Sequence, residues 1–393
     1  MQRVRVAVVG GSLGGLTAAC LLRDDGHDVT LYERSPREME ERGAGIGLME
    51  ATSRYLTQRL GLALDEVSIH TDVVRYLARD GSVVHETHQP YYFSSWTTVY
   101  RHLLQHWGTD RYLLGHEMTG FEQDADRVTV RFGNGRVVDA ELLVCADGVG
   151  SVARELLQPN AAPAYAGYVV WRAMVPENDV PAAVRDRLTD ALTYYVMPNS
   201  HFLVYPIPGR DGSLRPGERL INVVWYRNYL AGGDLDDVMT GNDGVLREIS
   251  LPPGTVSARH DAEIRAVAAA RLPWPLAEVV AAAKQLFLQV IYDIEIERMA
   301  FGRVCLLGDA AYLARPHAAA GTAKAADDGW ALAEALRSEP EVVSALAAWE
   351  PSQLALGAQL LERTRRMGHR SQVDNTWTPG HPDLVLGLYG PGR

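Results

Sequence analysis

The chain opens with Val4-Arg5-Val6-Ala7-Val8-Val9-Gly10-Gly11-Ser12-Leu13-Gly14-Gly15. Its first six residues are apolar except for Arg5 and mostly β-branched, as in a buried strand. After the glycines, Leu16, Ala19, Cys20 and Leu22 recur at helical spacing, and Gly26 can end that helix in the left-handed conformation. Val29-Thr30-Leu31-Tyr32 is a second buried strand, with Glu33 at its C-terminal end. Strand, tight turn, helix and strand make a βαβ unit, which implies a parallel sheet and an α/β fold. In the dinucleotide-binding turn G-x-G-x-x-G, the first glycine permits the turn and the last lets the helix pack on the strand. Gly10 and Gly15 take those places, but Ser12 holds the middle one, where a side chain crowds a pyrophosphate. Its hydroxyl can donate to a phosphate oxygen instead, and the unpaired N–H groups of the helix start favour an anion. Glu33 follows Gly10 by about 20 residues, where an acid takes a ribose hydroxyl. The broken glycine pattern alone fits a plain strand–helix turn equally well. The strand before it, the helix after it and the acid favour a dinucleotide, without distinguishing NAD from FAD.

Two later stretches carry the same chemistry. Arg303-Val304-Cys305-Leu306-Leu307-Gly308-Asp309-Ala310-Ala311 is a strand ending in Gly-Asp and two small residues. A carboxylate at a strand's C-terminal edge can accept a bond from a polyol, and small residues beside it let a planar ligand come close. Pro316-His317-Ala318-Ala319-Ala320-Gly321 then turns into a helix starting near Thr322. Cys145-Ala146-Asp147-Gly148-Val149-Gly150-Ser151-Val152-Ala153-Arg154 lies between these stretches in sequence. The Gly-Asp and Asp-Gly runs resemble the signatures of the single-component FAD-dependent aromatic hydroxylases, a flavoprotein monooxygenase family. The resemblance implies that Asp309 binds the FAD ribityl chain, that Asp147 serves both FAD and the reduced nicotinamide, and that Gly321, Thr322 and Ala323 lie against the flavin. Gly43-Ala44-Gly45-Ile46-Gly47-Leu48 resembles the family's loop along the flavin, which adds Gly47 and Leu48. Arg101 matches an arginine that touches FAD, its other reading being a surface charge. Gly10, Ser12, Leu13, Gly14, Glu33, Arg34 and Met118 complete the implied FAD set. NADH or NADPH is the implied transient electron donor.

A narrower likeness rests on Tyr165-Ala166-Gly167-Tyr168-Val169-Val170-Trp171-Arg172, on Tyr205-Pro206-Ile207-Pro208-Gly209-Arg210, on the run from Arg315 to Gly321, and on Ser12 and Lys324. These are similar to the branch of the family that hydroxylates dihydroxypyridines. The implied reaction is hydroxylation of an electron-rich hydroxylated aromatic or N-heteroaromatic ring, 2,6-dihydroxypyridine-like, by O2 through a flavin C4a-hydroperoxide. Such a site must exclude water, and it needs a base or a hydrogen-bond network to ionise a ring hydroxyl.

Residues 165–230 are rich in Tyr and Trp, punctuated by Pro and Gly, and read as an antiparallel sheet flooring the pocket. Period-two alternation puts His201, Leu203 and Tyr205 on one face. Asn222, Val224 and Tyr226 share another, with Trp225 opposite. His201 is the candidate catalytic base, because an ordinary imidazole pKa of ~6.5 suits proton abstraction; a half-exposed strand histidine is the competing reading. His317 is its rival, with a chain-turning role after Pro316 as the alternative. Tyr194, Tyr205, Trp225, Pro316 and His317 are candidate substrate contacts. Hairpins are expected around Asp80-Gly81 and Asn134-Gly135, and helices over 261–284, 322–337 and 341–370. The expected fold is α/β. A discontinuous Rossmann-like FAD-binding domain (1–72, 100–160, 285–350) receives an inserted antiparallel-sheet substrate domain (73–99, 161–284) and carries a helical C-terminal tail (351–393).

Composition narrows the partners. Of 393 residues, 38 are Lys or Arg and 49 Asp or Glu, a net charge of −11, which argues against a nucleic-acid backbone. No apolar run approaches the ~18 residues that span a bilayer, so no membrane association and a cytoplasmic location are expected. Cys20, Cys145 and Cys305 lie far apart in apolar runs and read as reduced core thiols, with no metal site. The expected partners are a small aromatic substrate and O2, with a homodimer suggested by the resemblance. Three alternatives stay open: Baeyer–Villiger or epoxidation chemistry on the same scaffold in a biosynthetic pathway, a non-catalytic binding protein of this fold, and an NAD-linked dehydrogenase. The last leaves Gly308-Asp309 without a purpose.

Overall fold

The apolar run at 4–9 forms β1 (Arg5–Val9), which lies inside a six-stranded sheet. In the computed structural model, which describes residues 3–39 and 44–393, β1 pairs in parallel with β2 (Asp28–Tyr32), and β2 with β6 (Tyr112–Leu113). On its other side come β10 (Leu142–Cys145) and β18 (Val304–Leu306), both parallel, and β17 (Ala300–Phe301) closes that edge antiparallel. Strands from near residues 5, 142 and 304 are thus neighbours, so the first domain is discontinuous as expected. Gly43 lies outside the described residues.

A nine-stranded sheet faces it. Its order is β15 (Ser250–Leu251), β16 (Phe287–Asp293), β11 (Ala164–Pro176), β14 (Leu220–Asn228), β13 (Ser200–Ile207), β12 (Ala191–Met197), β4 (Ile69–Leu77), β5 (Val83–Ser95) and β3 (Gly45–Gly47). The sequence suggests a purely antiparallel sheet; β12 and β4 run parallel, so it is mixed. Residues 45–47, 69–72 and 287–293, assigned on sequence to the first domain, hydrogen-bond into this sheet through β5 and β11. A third, small sheet joins β7 (Met118–Gln123), β8 (Val128–Phe132) and β9 (Val137–Ala140), with the Asn134-Gly135 hairpin at its β8–β9 end.

Alternation along the long strands divides the large sheet into two faces. Val169, Trp171, Phe202, Val204, Val223 and Trp225 form one core with the helices Ala258–Arg271 and Trp274–Ala282. Tyr168, Val170, Tyr194, Tyr205, Val224 and Tyr226 face the other way. The single helix expected over 261–284 is two, because Leu272 is extended before Pro273, which lacks an N–H and disfavours the helical conformation in the residue before it. The helix Gly321–Ser338 packs on Leu13–Asp24 so closely that a Cβ on Gly329 would lie 3.2 Å from the Ala18 Cα. The long helix Val342–Gln372 follows, and the three cysteines are buried and free.

Candidate active site

Gly10, Asp147 and Asp309 stand just past the C-terminal ends of β1, β10 and β18, three adjacent parallel strands. Ligands of open α/β sheets bind at such strand ends. Gly10 has φ +105°, and a Cβ there would sit 2.1 Å from the Ala146 carbonyl oxygen; one on Gly15 would sit 1.8 Å from the Gly10 oxygen. Both glycines are therefore required by close backbone packing. Ser12 is the N-cap of Leu13–Asp24, yet its side chain makes no capping bond and the first turn holds no acid. Ala320 likewise leaves Gly321–Ser338 uncapped. Two helix starts therefore reach the cavity with no N-cap side-chain bond and no acid in the first turn.

Arg154 joins two of the motifs, donating to the Ala310 carbonyl at 3.1 Å and to the carbonyls of Gly148 and Val149. Asp147 is used inside the protein: Ser151 Oγ donates to it at 2.6 Å and Ala153 N at 3.3 Å, and burial raises its pKa. Glu33 is also occupied, accepting from Gly11 N and Ser35 N at 2.8 Å each, and it does not line the cavity. A carboxylate accepts about four bonds, so a ribose would share this group rather than own it. Asp309 is different. Its carboxylate has no hydrogen-bond partner among the described residues and is open to the cavity's solvent. The protein walls around it and the nearby Asp328 push its pKa up to about 6, a shift that the solvent contact moderates. Gly308 N donates to Asp328 Oδ2 at 2.8 Å, and Asp328 is itself paired with Lys324, so this turn is braced from below.

The cavity, about 540 Å³, runs from these strand ends to the aromatic face of the large sheet. Ser12, Leu13, Gly14, Gly47, Gly321 and Thr322 line its first half, and Tyr194, Tyr205, His201, Pro316 and His317 its second. Gly47 and Ala319 close on each other across it, a Cβ on Gly47 lying 3.0 Å from Ala319 Cβ. His201 stacks between Tyr226 and Trp377, with ring centroids 4.5 Å from each. His317 Nε2 lies 2.7 Å from the Tyr168 hydroxyl.

Several expectations need correction. Trp225 points away from the cavity, where it donates to Ser200 Oγ at 3.0 Å; the alternation on β14 gives the cavity side to Tyr226. Leu48, Met118 and Ala323 are buried in the core and do not line the cavity. Arg34 is exposed, and Arg101 donates to the Arg210 carbonyl at 2.6 Å; neither lines the cavity. His201 is in place, but without the ordinary basicity expected of it: full burial lowers its pKa to about 3. The sequence reading missed Arg172, which lines the cavity and donates to Gln289 Oε1 and the Gly45 carbonyl, with no carboxylate partner among the described residues. It also missed Tyr226, Trp377 and Leu386 as neighbours of the site. Strand parity could have found Arg172 and Tyr226. No local signal marks the other two.

Comparison with known proteins fits this geometry. Residues 8–37 match the family model described as an NAD(P)-binding Rossmann-like domain, and residues 165–293 the one described as FAD binding domain-like. The chain is 36% identical over 385 residues to the 2,6-dihydroxypyridine 3-monooxygenase of Paenarthrobacter nicotinovorans, covering 98% of this chain and 96% of that one. It is 30% identical to a 3-amino-4-hydroxybenzoate 2-monooxygenase of Streptomyces cremeus, covering 93% and 86%. The solved structure of the 2,6-dihydroxypyridine-3-hydroxylase from Arthrobacter nicotinovorans superposes with a TM-score of 0.93 at 35% identity, covering 98% of this chain and 97% of that one.

Proposed function

The chain belongs to the family of FAD-dependent aromatic hydroxylases, monooxygenases of aromatic and heteroaromatic rings that typically use NAD(P)H, and from that premise we propose that it hydroxylates an electron-rich hydroxypyridine of the 2,6-dihydroxypyridine kind. The residues present fit the cofactor. Asp309 is an unpartnered carboxylate among small residues at a strand end, and two uncapped helix starts face the same space. Asp309 would hold the ribityl hydroxyls, Ser12 to Gly14 the pyrophosphate, and Gly321 and Thr322 the flavin edge, where a helix start favours negative charge. Bound FAD, reduced by NADH or NADPH, activates O2 and supplies one oxygen atom to the ring.

One observation carries the substrate reading. The far end of the cavity is an aromatic box whose polar groups are neutral: His201 and His317, both held uncharged by burial, beside Tyr226 and Trp377. A flat ring with hydroxyl and ring-nitrogen groups satisfies such walls. A benzoate carboxylate would find no cation among these four groups; Arg172, which also lines the cavity, donates to neutral acceptors, Gln289 Oε1 and the Gly45 carbonyl, so turnover of hydroxybenzoates is the discriminating alternative. Phe93 stacks on Tyr205 at 4.2 Å and Tyr76 on Tyr194 at 5.1 Å, stiffening the walls that keep water out.

The test is NAD(P)H oxidation over a panel of hydroxypyridines, phenols and hydroxybenzoates, with product mass and peroxide measured together. A dihydroxypyridine should give a product heavier by one oxygen atom with little peroxide. Turnover confined to hydroxybenzoates, or an ester formed from a ketone, would overturn the reading.

A further inference from the structure

Behind the cavity lies a buried polar chain that the reaction outlined above does not use. Arg315 is held by Asp293 through two bonds of 2.9 and 2.8 Å, and Arg365 donates to the same carboxylate at 3.0 Å. Arg315 Nη1 in turn lies 3.4 Å from the Tyr168 hydroxyl, which is 2.7 Å from His317 Nε2. The other ring nitrogen, Nδ1, is buried without a partner among the described residues. Room for this chain is made by Gly368 in the helix Val342–Gln372. A Cβ there would lie 2.4 Å from the Tyr168 hydroxyl and 3.0 Å from His317 Nε2.

The direction of each bond follows from what each group can do. A guanidinium only donates, so the Tyr168 oxygen accepts from Arg315. Among the described residues the Tyr168 hydrogen then has one acceptor in reach, His317 Nε2. Burial, His201 and Arg315 all disfavour an imidazolium, so His317 carries one proton, and that proton must sit on Nδ1.

We propose that Tyr168, backed by Arg315 and admitted by Gly368, is a positioning residue that locks His317 in the Nδ1–H tautomer, so that His317 is a hydrogen-bond donor to an anionic ring oxygen of the substrate rather than the base that ionises it. The ligand class, an ionised hydroxyl on a ring, rests on the substrate reading above; the tautomer does not.

The test uses 15N-histidine-labelled holoenzyme, with His317→Asn to assign the resonance. His317 should show a pyridine-like Nε2 and a pyrrole-like Nδ1 with no substrate present. Tyr168→Phe should abolish that pattern. Gly368→Ala, whose extra methyl suits a helix but strikes the Tyr168 hydroxyl, should do the same. Protonation of Nε2 in the wild type, or an unchanged pattern in both variants, overturns the proposal. Turnover of 2,6-dihydroxypyridine supplies the second arm. The Asn amide nitrogen can replace Nδ1–H as a donor, so His317→Asn should stay within about threefold of wild type, whereas His317→Ala should lose about ten- to hundredfold in kcat. Equal losses in both would mean that His317 works as a base. Failure of 2,6-dihydroxypyridine to react in any form would count against the substrate reading and leave the spectra to decide the tautomer.

Discussion

At the scale of single residues, burial decides what the ionisable groups can do. His201 carries the residue type a base needs, but it sits in an aromatic stack with no carboxylate beside it among the described residues, and burial lowers its pKa to about 3. A buried imidazole held neutral binds fewer protons folded than unfolded between its native value and the ordinary 6.5. Stability from this group is therefore complete above pH 6.5 and is lost as pH falls toward 3. Urea unfolding from pH 7 to pH 4 should show His201→Gln losing less stability than the wild type; parallel profiles would refute that burial. Depth is not written in a local sequence, which is why the residue could be named in advance and its basicity could not. Glu33 and Asp147 make the same point: each was found from its motif, and each turns out to spend its oxygens on backbone amides or on Ser151.

At the scale of elements, legibility follows the range of the forces involved. β1, the first helix and β2 are specified by neighbours in sequence, and so is the hairpin at Asn134-Gly135. Alternation within β13 and within β14 was legible, but the two sets were read onto different faces; His201 pairs with Tyr226 and Tyr205 with Asn222, so they share one, because the register between strands is written in neither strand alone. Trp225 was assigned to the wrong side for that reason, and Tyr226 and Arg172 were passed over. The contact between Leu13–Asp24 and Gly321–Ser338 sets the depth of both helix starts at the cavity. Gly329 permits it, so Gly329→Val should cost about 1–3 kcal/mol of stability through overpacking, read as a lower urea midpoint. An unchanged midpoint would mean that the two helices can separate without cost.

At the scale of the whole molecule, the site exists only because distant segments meet. The strand ends near residues 10, 147 and 309 were expected to converge, and adjacent parallel pairing brings them together. The tail was not expected to contribute. Arg363 donates to the carbonyls of Gly387 and Val385, and this brings Leu386 to the cavity wall, while Trp377 reaches His201. The chain carries a net charge of −11, and among the described residues no helix is long and apolar enough to cross a membrane. The central claim is that these segments enclose FAD, with Asp309 as an unpartnered acceptor at its ribityl chain. Titration of apo-protein with FAD, followed by flavin fluorescence, tests it most directly. Wild type should bind one FAD per chain, and Asp309→Ala should bind about ten- to hundredfold more weakly with the unfolding transition of the apo-protein retained. Equal affinity in the two proteins would contradict the account.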